Sequence, residues 1–310
     1  MSDRVVITGA TGFIGASIAH EFLRGGHSVV VLTRINSNLS RLRSLYADIK
    51  IIEYSSLDPE HFEFSKITGG ADIFVHCAWR GVAGSNRNEA SQVTTNIPTT
   101  IHSVELAAKL GCRQWIGLGS QAEYGNLNCK ISETSHNLPT TLYGKAKLAA
   151  SISALGLCEA YKMIGTWMRV FSTYGPKDAP NWFIPYVIQE FLANRAPKLT
   201  GCEQLWDYLY VQDAGRAVAA VSNRQASGVF NLASGNALPL KIYIETIREI
   251  LGTSLTPEYG AIDYRSDQVM HLEADIRKLK EITGWRPVVG LLEGLTQTID
   301  FELTRKTHNL

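Results

Sequence analysis

Short apolar runs without alternation recur along this chain, each followed by a stretch with helical spacing. Arg4 to Thr8 (RVVIT) is the first, and its unbroken β-branched character predicts a strand covered on both faces, as in a parallel sheet. The turn Gly9-Ala10-Thr11-Gly12-Phe13-Ile14-Gly15 follows at once, then apolar positions at helical spacing from Ala16 to Leu23, closed by Gly25-Gly26. His27 to Leu32 restores the strand pattern and completes a βαβ unit of about thirty residues.

The alternation continues. Strands are expected at Ile49 to Tyr54, Ala71 to Ala78, Arg113 to Ser120 and Met163 to Val170, with a long helix within Asn88 to Leu110 and another bearing Tyr143. This repetition predicts an α/β fold built on a doubly wound parallel sheet. Past Arg169 the texture changes: Pro176, Pro180, Pro185 and Pro197 interrupt the pattern, and Trp182, Phe183, Tyr186, Trp206, Tyr208 and Tyr210 crowd together, as suits a pocket-forming lobe. Gly228 to Ala233 reads as a strand returning to the main sheet, and helices are expected at Leu240 to Leu251, Asp275 to Thr283 and Gly290 to Thr304. The boundary therefore falls near 172, giving a unit over 1–172 with return segments near 207–235, and a smaller lobe over 173–310.

Composition narrows the partners. At 310 residues, 45% hydrophobic and 19% charged, the chain can bury a large core, and its formal charge of +1 gives no electrostatic case for nucleic acid or an anionic membrane. The five cysteines (Cys77, Cys112, Cys129, Cys158 and Cys202) are scattered without CxxC spacing, which predicts buried thiols in a reducing compartment, with no disulfide framework and no metal site. A strand begins at the N-terminus and no apolar stretch approaches membrane-spanning length, so a cytoplasmic protein is expected.

The glycine turn sits between strand and helix. Without side chains at Gly9, Gly12 and Gly15 the backbone can approach a pyrophosphate, whose charge the free N–H groups of the helix start attract. The spacing is GxxGxxG, which differs from the common GxGxxG fingerprint. At the end of the second strand, Thr33-Arg34-Ile35-Asn36-Ser37-Asn38 offers no acid to hold a ribose 2′-hydroxyl. Arg34, aided by Ser37 or Asn38 and by Arg41 or Arg43, could pair with a 2′-phosphate, so NADP is the expected dinucleotide and NAD the alternative.

Tyr143 and Lys147 lie four residues apart in YGKAK, one above the other on a helix face, where an ammonium would bring the phenol's proton within reach of neutral pH. Ser120 ends an apolar strand at the edge where open α/β sheets bind ligands. A serine donor, a tyrosine proton carrier and a lysine together suit a carbonyl/alcohol site with a nicotinamide as hydride partner.

These residues, with TGATGFIG at Thr8 to Gly15, His76-Cys77-Ala78, Asn96, GSQAEYG at Gly119 to Gly125, Arg169 ahead of Tyr174-Gly175-Pro176, Trp206-Asp207-Tyr208, Asp213, Asn231 and Gly284-Trp285-Arg286-Pro287, resemble the extended short-chain dehydrogenase/reductase family over nearly the whole chain. The resemblance implies that Tyr143 is the general acid/base, that Lys147 holds the nicotinamide ribose, and that Ser120 polarises a nucleotide-linked sugar. It also implies cofactor contacts from Gly9, Thr11, Gly12, Phe13, Ile14, Gly15, Cys77, Ala78 and Asn96, and a homodimer paired through the helices of Asn88 to Leu110 and Tyr143 to Tyr161. On the sugar-nucleotide side it implies Trp79, Gln121, Ser172, Trp206 and Arg265.

Departures from the family pattern narrow the reaction. The dehydratases carry an Asp-Glu pair where Gln121-Ala122 stand here, so loss of water is not expected. Arg34 favours an NADPH-dependent reductase of a 4-keto-6-deoxy sugar; a nucleotide-sugar epimerase with tightly held NAD and a non-catalytic NADP-sensing regulator are the alternatives. Trp206 replaces a common arginine, leaving Arg195, Arg216 and Arg265 as cations for the phosphates, while Trp206 either stacks on a base or fills the core. His76 is expected to pack or hydrogen-bond rather than transfer a proton. Glu123 either contacts sugar hydroxyls or faces solvent, and Trp79 could cover the sugar.

Overall fold

The computed structural model describes residues 2–307. Seven strands form one parallel sheet: β1 (Arg4–Thr8), β2 (Ser28–Arg34), β3 (Ile49–Tyr54), β4 (Ile73–His76), β5 (Gln114–Ser120), β6 (Ile164–Val170) and β7 (Gly228–Leu232). Their order across the sheet is β7-β6-β5-β4-β1-β2-β3, every pairing parallel. The order reverses between β1 and β4, and the crevice at their C-terminal ends is where such sheets take ligands.

The sheet has helices on both faces, which explains why its strands do not alternate. On one face Val5, Ile7, Val29, Val31, Ile116 and Met168 pack against α1 (Phe13–Arg24), joined by residues of a helix from the last third of the chain. On the other, Val6, Val30, Phe74, Trp115 and Trp167 meet side chains of residues 104–110 and 150–158. Neighbouring residues of one strand thus serve opposite cores.

The helix expected within Asn88 to Leu110 is in fact two, α2 (Ser91–Thr94) and α3 (Asn96–Lys109), divided at Thr95. Pro98 explains the division, because it has no N–H to continue a helix through from Thr94 but is tolerated in a first turn. Next come α4 (Leu142–Ala160), α5 (Phe183–Leu192), α6 (Val211–Asn223), α7 (Leu240–Leu251), α8 (Arg277–Thr283) and α9 (Leu291–Thr307). Helix α6 supplies Ala214, Ala217, Val218 and Val221 to the first face, and its contact with α1 includes a bond from Ser17 Oγ to the Val211 carbonyl at 2.8 Å.

A third core, formed by α5, α7 and α9 with Tyr174, Leu199 and Tyr210, makes the C-terminal lobe. A small sheet in the order 238–239, 205–206, 271–274, 129–131 joins this lobe to the loop after β5. Its strands, two to four residues long, were too short to leave a pattern in the sequence. No helix among the described residues is long and apolar enough to cross a membrane.

Candidate active site

The glycine turn leaves β1 directly. Gly9 has φ +71°, and a Cβ there would come within 2.6 Å of the Cys77 carbonyl carbon and 2.5 Å of the Ala78 nitrogen. A Cβ on Gly15 would strike the Gly9 carbonyl. The turn therefore lies flat against the end of β4, and the Gly12 N–H donates to the Gly9 carbonyl at 3.0 Å. The half-buried start of α1 beyond Gly12 presents backbone N–H groups that its own turns do not use, so this chain fits a dinucleotide pyrophosphate. Thr11, Phe13 and Ile14 border this turn, half-buried.

At the adenosine end, Arg34 is exposed and its side chain bonds to no acid among the described residues. Ser37 Oγ donates to the Arg34 carbonyl at 2.7 Å, and Asn38 Oδ1 accepts from Ser40 N at 2.9 Å, so both are occupied in shaping the loop. Arg41 is occupied as well, donating to the carbonyls of Lys177 at 3.0 Å and Thr11 at 3.4 Å. Of the helpers expected for Arg34, these three are committed to backbone.

Ser120 ends β5 and caps the turn Gln121–Glu123: its Oγ accepts from Ala122 N at 3.2 Å, while Glu123 Oε1 accepts from Ser120 N at 2.8 Å. Helix α4 begins against this turn. A Cβ on Gly144 would meet the Ala122 carbonyl, and Thr141 Oγ1 caps the helix by accepting from Gly144 N at 3.1 Å. The close approach sets Tyr143 beside Ser120, which acts on the phenol as a hydrogen-bond partner.

Burial raises the Tyr143 pKa above the ordinary phenol value; Ser120 and the Arg87 charge oppose that rise. The lowering expected from Lys147 is replaced by these two groups. Lys147 instead donates to the Leu118 carbonyl at 2.6 Å, with its Nζ 3.8 Å from the centre of the Trp79 ring. Burial brings its pKa down to about 7, with Glu123 opposing. Trp79 stands edge-on to Tyr143 at 6.1 Å between centroids, so it touches both members of the pair.

Glu123 neither faces solvent nor reaches the open site. It is fully buried, accepting from Trp167 Nε1 at 2.9 Å and from Arg169 Nε at 2.7 Å. The Arg169 guanidinium also lies over the Tyr124 ring, whose hydroxyl donates to Asn231 Oδ1 at 2.7 Å. This network is structural, a scaffold under Ser120.

Asn96, expected at the cofactor, is spent on the loop after β4. Its Oδ1 accepts from Arg80 N at 2.9 Å and its Nδ2 donates to the Arg80 carbonyl and to Gln92 Oε1. Gln92, buried and unmarked in the sequence, holds the same loop: Nε2 reaches the carbonyls of Arg80, Gly81 and Asn86, and Oε1 accepts from Trp79 Nε1 at 2.8 Å. His76 packs as expected, stacked on Trp115 with Thr8 Oγ1 2.9 Å from its Nδ1, and burial lowers its pKa to about 3. Burial likewise pushes the Cys77 thiol up to about 12. Cys77 and Ala78 offer backbone to the glycine turn.

On the substrate side, Gln121 follows Ser120, and Trp206 Nε1 donates to Ser172 Oγ at 2.7 Å. Half-buried Trp206 packs against two of the cores. Arg265 stands apart, its exposed guanidinium 3.6 Å from Asp267. Arg195 pairs with Glu190. Arg216 pairs with Asp213 and lies by Glu21 and Arg24, at the opposite end of α1 from the glycine turn.

The model of the NAD dependent epimerase/dehydratase family matches residues 5–233, from β1 to the residue after β7. The chain belongs to that family. Within it, UDP-glucuronate 4-epimerase of Thermodesulfobacterium geofontis is 24% identical over 309 residues, covering 96% of this chain and 95% of that protein. UDP-N-acetylglucosamine 4-epimerase of Methanobrevibacter ruminantium, solved with UDP-N-acetylmuramic acid, superposes with a TM-score of 0.88 at 24% identity over 98% of this chain and 99% of the other. UDP-glucuronic acid 4-epimerase of Bacillus cereus, solved with UDP-glucuronic acid and NAD, gives 0.81 at 22% identity over 97% and 99%. At these identities the two solved structures show the family fold. As a member of that family it is an enzyme of the NAD-dependent epimerase/dehydratase type.

Proposed function

We propose that this chain interconverts the C4 epimers of a nucleotide-linked sugar, with NAD as redox partner. The observation that carries the proposal is the meeting of Ser120, Tyr143 and Lys147 at the strand end beside the glycine turn. Gln121-Ala122, an amide and a methyl, stand where expulsion of water would need an acid and a base. The 4-epimerase relatives support this reading over the reductase expected from Arg34.

A dinucleotide whose pyrophosphate is held at the glycine turn would supply a nicotinamide as hydride acceptor and donor. The chain supplies the proton path. In the phenolate form, which Ser120 and the Arg87 charge favour, Tyr143 Oη takes the proton of the sugar hydroxyl and later returns it; the Ser120 hydroxyl holds the sugar oxygen in line with it. Lys147 places a partly charged ammonium one helical turn further on, available to a ribose. Trp79 and Arg87, packed on the Tyr143 ring, limit water around the phenol.

Incubation of the protein with UDP-glucose or UDP-glucuronic acid is expected to yield the C4 epimer without consumption of added NADH or NADPH, and denaturation to release bound NAD. Exposed Arg34 favours a second reading, NADPH-dependent reduction of a nucleotide-linked 4-keto-6-deoxy sugar. Stoichiometric NADPH oxidation with such a sugar, and no epimer formed, would select it.

Two subunits pairing through α3 and α4 belong to the same proposal. Val93 just before α3, Ile152 on α4 and Tyr161 at its end are exposed apolar side chains there. Sedimentation velocity is expected to give twice the 34.2 kDa chain mass, and a monomer at micromolar concentration would exclude the pairing.

A further inference from the structure

Arg87 is the charged side chain at the reacting phenol that has no ionic or hydrogen-bonding partner among the described residues. Its guanidinium carbon lies 4.7 Å from the centre of the Tyr143 ring. Its Nε is buried and makes no hydrogen bond, and no carboxylate pairs with it among the described residues. A buried N–H of a charged group left unbonded is costly, so the position calls for an acceptor that the described residues do not offer.

The placement is fixed from both flanks. On one side Gln92 Nε2 donates to the Asn86 carbonyl at 2.9 Å; on the other Asn88 Oδ1 accepts from Leu142 N at 3.0 Å, next to Tyr143 itself. Electrostatics point the same way. The nearby acid, Glu123, is neutralised by Arg169 and fully buried. Among the described residues, the Arg87 guanidinium over the Tyr143 ring is therefore left without a compensating carboxylate.

We propose that Arg87 receives a carboxylate carried on the sugar carbon next to the reacting one, so that the preferred substrate is a nucleotide-linked hexuronate rather than a neutral hexose. The inference rests on the nucleotide-sugar reading above. If the Tyr143 hydroxyl serves the C4 oxygen, the C5 substituent projects beside it, within range of a guanidinium stacked on the same ring. A guanidinium's parallel N–H groups match a carboxylate in geometry as well as charge, and the free Nε is one of them.

UDP-glucuronic acid and UDP-glucose differ only in a carboxylate against a hydroxymethyl at C6, and both can be titrated calorimetrically into the full-length protein with NAD present. The wild type is expected to bind the uronate about ten- to a hundredfold more tightly. Arg87→Met is expected to bring the affinity ratio to about one or below, and Arg87→Lys to keep part of it. The ratio is the readout because a general loss of folding or of dinucleotide cancels in it. Equal affinities in the wild type, or a ratio unchanged in Arg87→Met, overturn the assignment of Arg87 alone. If neither nucleotide sugar binds, the nucleotide-sugar reading falls and this inference with it.

Discussion

Tyr143→Phe is expected to lower turnover by about a hundred- to ten-thousandfold while dinucleotide binding persists. The substitution removes only the hydroxyl. The ring that Trp79 meets edge-on and Arg87 covers remains, so the packing at the start of α4 is kept. What disappears is the one group that lies beside Ser120 and can pass a proton to and from a sugar oxygen. Steady-state turnover of UDP-glucuronic acid, with a parallel NAD titration, checks both halves. Turnover close to the native rate would remove Tyr143 from the proton path.

Glu123→Ala is expected to destabilise the protein by about 3–5 kcal/mol, the usual cost of stranding one member of a buried ion pair. Arg169, 3% exposed, would keep its charge with no carboxylate beside it, and Trp167 Nε1 and Ser120 N would each lose an acceptor. Because Glu123 closes the capping box on Ser120, the serine hydroxyl is expected to lose its fixed position too. Urea unfolding gives the first effect directly. A loss below about 1 kcal/mol, typical of an exposed pair, would show that the network does not hold the strand end.

The parts of this protein legible in its sequence are those encoded within a few consecutive residues. The glycine turn announces itself because Gly9 and Gly15 must lack side chains where strand and helix meet, and Tyr143 and Lys147 are near neighbours on one helix. Glu123 was misread for the opposite reason. Its burial depends on Arg169, 46 residues away, brought alongside by the pairing of Gly119 on β5 with Arg169 on β6. Asn96 and Gln92 depend on the path of the loop from 79 to 90, whose carbonyls they bind, and no local pattern encodes that path. Arg87 carries no signal in the sequence, since only the folded chain shows its buried, unbonded nitrogen above Tyr143.

The return of β7 to the edge of the main sheet limits how the chain can be recombined. Cutting near 172 would strip β6 of β7, one of its two neighbours, and the strand 129–131 would lose its match at 271–274. An exchange of substrate lobes with a relative would therefore have to graft several seams at once, each with its own register, instead of one hinge. Changes of sugar preference in such a framework are more accessible through single side chains around Tyr143 than through the shuffling of modules.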